Sequence, residues 1–503
     1  MNYKNLYQNK WTIALIVVIA NIVLRFFNIS NHSYWFDEII WIDIGEWEIT
    51  KIVEHCRTQD PNPPLYPIIL HYWVKLFGIS EIGVRALAAI SVSLAAGVLY
   101  IFAHDFFNKQ TAIFASLMFF TSNELFYYSQ EARPYALIIL FAVLSNFAFF
   151  SLIKKPNFLN AILLGAFNAI LFYLHLLTAF CILGQVILFP ILIQQSNIFI
   201  KKDNSIYFNY NFPLRYLIYY LLSWLIFFVL FIPWKDRFIE LMINGGKNFW
   251  LPKPTYNDFK HCIYDYFNSK ELYQIHIFSF VIILAIILLF KKLKSESISI
   301  KPFLFALFIG PVVIYLNYAV ASYSPIFLKR YVLFTIIGFI LLYSYVFSLI
   351  KMPAILKLIL FTVISVFSFI SIKMPRETTM DYKNAIAFIK KNYNSNTLIT
   401  TDQGTLFAYY FDKEKAWKIK DFGRREQYLF AKHNVFSIPN SDWCKNFNFS
   451  GYSDIYYTSS FEHYTDPQMI TDNYLRTNFL LVEEINSFVG IKMVHFKNKN
   501  FVK

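Results

Sequence analysis

From Trp11 to Ile372 the chain is a succession of about eleven apolar runs, most of them near the length at which one helix crosses a bilayer. No soluble core could bury so many. Hydrophobic residues make up 57% of the 503 and charged residues 16%, so the chain reads as a mainly α-helical polytopic membrane protein. The formal charge is +14. Its lysines gather in short connections between the apolar runs: Lys154-Lys155, Lys201-Lys202, Lys291-Lys292-Lys294 and Lys351. That is the pattern of positive connections on the cytoplasmic side, with anionic headgroups nearby, and it argues against a nucleic-acid footprint. An odd number of spans with those connections inside places the amino terminus in the cytoplasm and the carboxy end outside. The first run is long enough to span and no small-residue cleavage site follows it, so it reads as an anchor and not a cleaved leader.

The expected spans run from about Trp11 to Phe27, Val84 to Phe106, Thr111 to Thr121 and Tyr135 to Ile153. Two more are divided near His175 and Thr178, and one covers Tyr216 to Pro233. The last four end at Lys291, Ala321, Lys351 and Ile372. Residues 1–374 form the transmembrane domain. A second outer loop covers residues 234–274. From 375 the composition turns polar. DYKNAIAFIKKNY reads as a helix, and TLITT, DIYYTSS and FLLVEEI read as strands, so 375–503 is expected to be a small α/β domain outside the membrane. Cys56, Cys181, Cys262 and Cys444 show no metal-type spacing. A disulfide between two of Cys56, Cys262 and Cys444 and free thiols are both open readings.

The first outer loop, 28–83, carries the chemistry. Asp37 and Glu38 follow Trp35-Phe36, and Asp60 precedes Pro61-Asn62-Pro63-Pro64. Acids at a bilayer rim are costly unless they face a cavity, a cation or a substrate. Neighbours on a helix point about 100° apart, so one acid can face a site while the other braces a neighbour. A carboxylate near an acceptor hydroxyl can take its proton, or hold a divalent cation such as Mg or Mn, with Asp37 and Asp60 as the candidate ligands. The plainer alternative is acids favoured at a helix start, with Asp60 capping the helix after Pro63. Around these acids, Ile39 to Ile49 and Leu65 to Leu76 read as two amphipathic helices in the outer interface. Glu131 and Arg133 stand at the outer end of a later span beside Tyr128. There Arg133 could clamp a phosphate and Glu131 meet a sugar hydroxyl, or the two could form a structural ion pair. Lys329, Arg330 and Arg85 are cations at span ends, suited either to a leaving phosphate or to headgroup contact. His175 is either a substrate contact or a satisfied structural histidine.

Three stretches in this order are similar to the GT-C type membrane glycosyltransferases, the group of ArnT, the protein O-mannosyltransferases and the RgtA/B/C/D-like proteins. They are WFDE at Trp35–Glu38, PNPPLYPIILHYWVKLFGISEIGVRALAAI at Pro61–Ile90 and YYSQEARPYAL at Tyr127–Leu137. The turn Pro325 to Lys329-Arg330-Tyr331 adds a fourth element. The resemblance implies a GT-C fold. It also implies transfer of a sugar from a polyprenyl-phosphate donor to a glycolipid, polysaccharide or protein on the outer face of the cytoplasmic membrane. On it, Asp37 is the first-loop acid, Asp60 and Glu131 are second-line acids, and Arg133 and Arg330 contact the donor phosphate. A transporter or flippase of a lipid-linked glycan is the alternative reading. It would call for repeated halves or broken helices meeting at mid-membrane, whereas the acids here sit at one rim.

Overall fold

A computed structural model of the chain describes residues 9–193, 199–202, 205–208, 214–244, 251–294, 300–373, 380–499 and 501. Part of the expected second outer loop (245–250) and the 374/375 boundary lie outside the described residues. The chain divides into two compact units. One comprises 1–27, 49–69 and 85–372; the other comprises 28–48, 70–84 and 373–503.

Among the described residues, the regular structure of the first unit is helical, apart from an antiparallel hairpin of β1 (Phe199–Lys202) and β2 (Ser205–Phe208). The polar residues between apolar runs do local work. Asn9, Asn108, Ser122 and Asn157 each accept a hydrogen bond from a backbone N–H of the helix that follows. Such caps matter most where water is scarce, because the first N–H groups of a helix have no partner within it. Among the described residues, six helices are long and apolar enough to cross a membrane, among them Glu81–Phe106, Tyr135–Lys154 and Leu214–Ile243. Phe158–Leu174 and Ala354–Ile370 are apolar but shorter. The expected third span is the 13-residue helix Lys109–Thr121, about 20 Å long at 1.5 Å per residue, and it breaks at Ser122 before a second helix, Asn123–Ser129. Among the described residues, length and composition thus support six of the about eleven expected spans.

Small residues and buried amides join these helices. Asn168 Nδ2 donates to Gln185 Oε1 at 3.1 Å, and Gln185 Nε2 donates to Ser145 Oγ at 2.8 Å and Asn146 Oδ1 at 3.2 Å. The closed network ties Tyr135–Lys154, Phe158–Leu174 and Ala179–Ile193 together. The span Ile300–Ala321 carries a π-turn over Phe308–Val312 around Pro311. There Gly310 lies so close to the helix Ile336–Ser348 that a Cβ on it would come within 2.9 Å of the Gly338 backbone. Asn268 adopts the left-handed conformation (φ 66°) and acts as a clasp. Its Nδ2 donates to Thr121 O and Ser368 O, and its Oδ1 accepts from Asn123 N.

The second unit contains a five-stranded sheet in the order β4-β3-β5-β7-β6. Its strands are β3 (Thr397–Thr401), β4 (Val435–Ser437), β5 (Asp454–Ser459), β6 (Leu480–Glu484) and β7 (Lys492–Lys497). β3 pairs in parallel with β4 and β5, while β7 pairs antiparallel with β5 and β6. β3 is buried along its whole length, as a central strand covered on both faces should be. Leu398, Ile455, Tyr457, Val494 and Phe496 pack with Trp443 and Phe449 in the core. Helix Tyr382–Asn392 starts at Asp381, whose side chain accepts from Asn384 N. β4 and β7 escaped the sequence reading. β4 has only three residues, and β7 (KMVHFK) is broken by charge at both ends.

The first loop departs from its expected pair of amphipathic helices. It forms three, Phe36–Gly45, Ile49–Thr58 and Leu65–Phe77. Phe36–Gly45 is a core helix, with Ile39, Trp41, Ile42, Asp43 and Ile44 all buried. Its sequence, FDEIIWIDIG, has apolar side chains on every side and too few polar ones to form a wet face. All four cysteines are free and buried, so no disulfide joins Cys56, Cys262 or Cys444.

The close approach of Gly310 and Gly338 predicts that Gly338→Leu lowers stability by roughly 1–3 kcal/mol through overpacking. Gly451→Ala is the control, since a Cβ there meets nothing within 4 Å. Thermal unfolding in detergent should separate the two variants.

Candidate functional site

Each unit carries part of the predicted chemistry. In the first unit, helix Asn123–Ser129 ends in a tight turn in which Arg133 N donates to Glu131 O at 2.8 Å. Gln130 anchors the turn, its Nε2 donating to Arg25 O at 3.0 Å and Phe27 O at 2.7 Å. Tyr128 and Glu131 are buried, whereas Arg133 and Arg330 are half-buried. Arg133 lies over the Tyr135 ring at 5.8 Å and Arg330 over the Tyr331 ring at 5.7 Å. The Tyr135 and Tyr331 rings are 6.4 Å apart, Tyr128 is 5.5 Å from Tyr135, and His175 is 4.7 Å from Tyr331. The fold thus gathers Tyr128, Arg133, His175 and Arg330 from three separate stretches around two tyrosines.

His175 belongs to this cluster as a neutral ring. Burial, reinforced by the charges of Arg133 and Arg330, pushes it down to about 3. Its Nδ1 accepts from Leu177 N at 3.2 Å, so the remaining proton sits on Nε2. Two guanidiniums on an aromatic floor, with no buried imidazolium to add a third charge, suit a phosphate bound by directed N–H donors.

Asp60 lies in the first unit, in a half-buried turn, with Oδ1 accepting from Asn62 N at 2.6 Å. Arg237 Nη2 donates to the Asp60 carbonyl at 3.4 Å. Burial raises the carboxyl above its ordinary range, against the Asn62 N–H and the charges of Arg133 and His55.

Lys329 is held by two carboxylates. Its ammonium lies between Glu124 Oε1 at 3.0 Å and Asp265 Oδ2 at 2.7 Å. Burial pushes the Glu124 carboxyl up, and Lys329 opposes that shift. With two carboxylates on one ammonium, the group is net negative when all are ionised, a poor receiver for phosphate but a firm brace between the helices of Glu124 and Asp265. Asp265 gave no signal in the sequence, because it is one of two acids, with Asp258, on a helix of mixed character, Tyr256–Tyr266. Arg85 is fully buried near the start of Glu81–Phe106.

In the second unit, Asp37 and Glu38 occupy the first turn of Phe36–Gly45. Glu38 is buried and turns back, its Oε2 accepting from Trp35 N at 3.4 Å. Asp37 is partly exposed. The pair divides as the 100° step predicts: one acid braces the helix start and the other faces outward. Phe36, 40% exposed, meets Phe461 edge-on at 6.1 Å beside it.

A divalent cation needs several hard oxygen ligands converging on one point. Among the described residues no group of three or more His, Cys, Asp or Glu side chains could hold a metal ion. Of the acids expected as ligands, Asp37 lies in the second unit and Asp60 in the first.

Residues 61–235 match the model of the dolichyl-phosphate-mannose-protein mannosyltransferase family. The chain is similar in fold to ArnT from Cupriavidus metallidurans, solved bound to undecaprenyl phosphate. The TM-score is 0.51 at 9% identity, over 97% of this chain and 99% of that one. It is also similar to the archaeal oligosaccharyltransferase AglB from Archaeoglobus fulgidus, solved with an inhibitory peptide and a dolichol-phosphate. Here the TM-score is 0.50 at 10% identity, over 99% of this chain and 75% of that one. No curated protein matches the chain in sequence. Likeness at these identities is likeness of fold.

The raised Asp60 carboxyl has a sign that can be tested. A folded pKa above the unfolded one means the native state holds the proton more tightly. Stability then falls as pH climbs from the unfolded value through the folded one. Asp60→Asn should therefore unfold roughly 2 °C higher than the parent at pH 7.5 and lose the advantage near pH 4. Differential scanning fluorimetry at the two pH values reads both arms.

Proposed function

We propose that this polytopic membrane protein of the GT-C glycosyltransferase fold transfers a sugar from a polyprenyl-phosphate donor to an acceptor hydroxyl at the outer face of the cytoplasmic membrane. The observation that carries the reading is the pairing of Arg133 and Arg330 on the floor of Tyr135 and Tyr331. The match of 61–235 to a mannosyltransferase family and the fold shared with ArnT and AglB support it.

In this reading the acceptor oxygen attacks the anomeric carbon while the bond from that carbon to the phosphate oxygen breaks. The electron pair leaves with the phosphate, which Arg133 and Arg330 receive. The acceptor proton passes to Asp37, whose first-turn position leaves it accessible while Glu38 holds the helix start. Attack opposite the leaving phosphate inverts the anomeric carbon. Asp60, Glu131, Tyr128 and His175 serve as further substrate contacts, and Lys329 braces the helices of Glu124 and Asp265. The topology belongs to the same proposal: about eleven spans with the amino terminus inside, so that the first loop and the carboxy-terminal domain face outward. A glycolipid, a polysaccharide or a protein could supply the hydroxyl.

The test uses the purified full chain in lipid nanodiscs, a panel of synthetic polyprenyl-phosphate-linked sugars and a membrane glycolipid extract as acceptor. The expected outcome is release of polyprenyl phosphate with one sugar. Asp37→Asn should then lower kcat by about 10²-fold or more with little change in donor binding. Arg133→Gln should instead weaken binding of the polyprenyl phosphate product. An Asp37→Asn enzyme of near-normal turnover would remove Asp37 from the mechanism. In sealed right-side-out vesicles, Asp37→Cys should react with an impermeant maleimide; protection from that reagent until the vesicles are opened would reverse the topology.

A further inference from the structure

The helix that carries Asp37 has only ten residues, too few to hold its own direction in water. Its far end is gripped by charge. Asp43 is fully buried, and its Oδ1 accepts from Arg425 Nη2 at 2.8 Å and from Lys420 Nζ at 3.2 Å. One turn on, Glu46 Oε2 accepts from Lys420 Nζ at 2.9 Å and from Trp417 Nε1 at 2.7 Å. Trp417 is 2% exposed and serves as the floor, with Lys420 4.7 Å and Arg425 5.2 Å from its ring. Arg425 is itself oriented by its Nε, which donates to Ile419 O at 2.8 Å. All of these residues lie in the same compact unit as Asp37.

The arrangement is an expensive way to hold a helix. Asp43 Oδ2 and Arg425 Nη1 have no hydrogen-bond partner among the described residues, although both side chains are buried. Apolar side chains of the same volume would pack here without that desolvation cost. What the charges add is direction. Two acids on consecutive turns, met by a guanidinium and an ammonium on one indole face, define both the rotation and the axial position of the helix. By helical periodicity Asp43 points about 120° away from Asp37. The grip is therefore on a different side of the helix from the Asp37 carboxylate.

We infer that Arg425 and Lys420, set on Trp417, are positioning residues for Asp37: through Asp43 and Glu46 they fix the helix Phe36–Gly45 so that its first turn presents the Asp37 carboxylate in one direction. This rests on the proposed role of Asp37 as the base. The carboxy-terminal residues thereby become part of the transfer machinery, whatever acceptor the enzyme takes.

The test breaks the grip while keeping the volume, with the double variant Asp43→Leu/Arg425→Met in the full chain. Lys420→Met is the second variant should the first fail to fold, since Lys420 is 30% exposed on its side chain. One readout is independent of turnover. A spin label placed on Asp37→Cys is selective because the four native cysteines are buried. The label should give one ordered spectrum in the parent and a second, more mobile component in the grip variants. The other readout is kinetic, on the nanodisc assay with the synthetic polyprenyl-phosphate-linked sugar. The variants should lose at least tenfold in kcat at unchanged donor KM, with the acid limb of the pH–rate profile displaced, and Arg425→Lys should recover part of the loss. An unchanged spectrum overturns the inference. So does a changed spectrum with parental kcat and pH profile. If Asp37→Asn itself turns over normally, the role of Asp37 as base fails first, and the spectrum still reports whether the grip directs the helix.

Discussion

A charge withdrawn from water is tolerated only where the fold supplies its counter-charge and hydrogen bonds. Both units are arranged around that requirement. In the first, Lys329 answers Glu124 and Asp265. In the second, Arg425 and Lys420 answer Asp43 and Glu46. Each cluster ties together stretches far apart in the chain, and each lies in a unit that also carries candidate reacting groups. The apolar mass of the chain sets where helices form, while these few ionic contacts set how the polar ones are aimed.

The two kinds of cation in the first unit illustrate the distinction. Lys329 is a compact ammonium already occupied by two carboxylates. Arg133 and Arg330 carry planar guanidiniums that lie against tyrosine rings, a shape suited to directed hydrogen bonds with an oxyanion. His175, held neutral by burial and by those same arginines, keeps further charge out of the cluster. A phosphate ester leaving from a sugar needs a receptor of this kind, positive and pre-arranged, so that charge developing in the transition state meets fixed donors.

The second unit takes segments 28–48 and 70–84 into the same compact body as the carboxy-terminal sheet. A division of the chain at 374/375 puts those segments with the membrane domain. The rim helix Phe36–Gly45 is nevertheless a core element, with Gly45 O bonded to His71 Nδ1 at 2.9 Å and Tyr34 N donating to Tyr410 Oη at 2.7 Å. Local composition suggested an interfacial helix because its tryptophans and isoleucines suit a headgroup layer. The same residues suit a protein core, and periodicity alone does not separate the two.

What the sequence by itself determined is whatever depends on neighbours in the chain. The apolar runs, the helix Tyr382–Asn392, the strands at 397, 454 and 480 and the divergence of Asp37 from Glu38 all follow from spacings of a few residues. Hydrophobic period and capping are local physics. The tertiary structure alone decided which charges meet. Asp43 and Arg425 are 382 residues apart and Lys329 and Glu124 are 205, and no local pattern marks either pair. The energy of such a contact depends on burial and on a geometry of a few tenths of an ångström, which only the folded chain possesses.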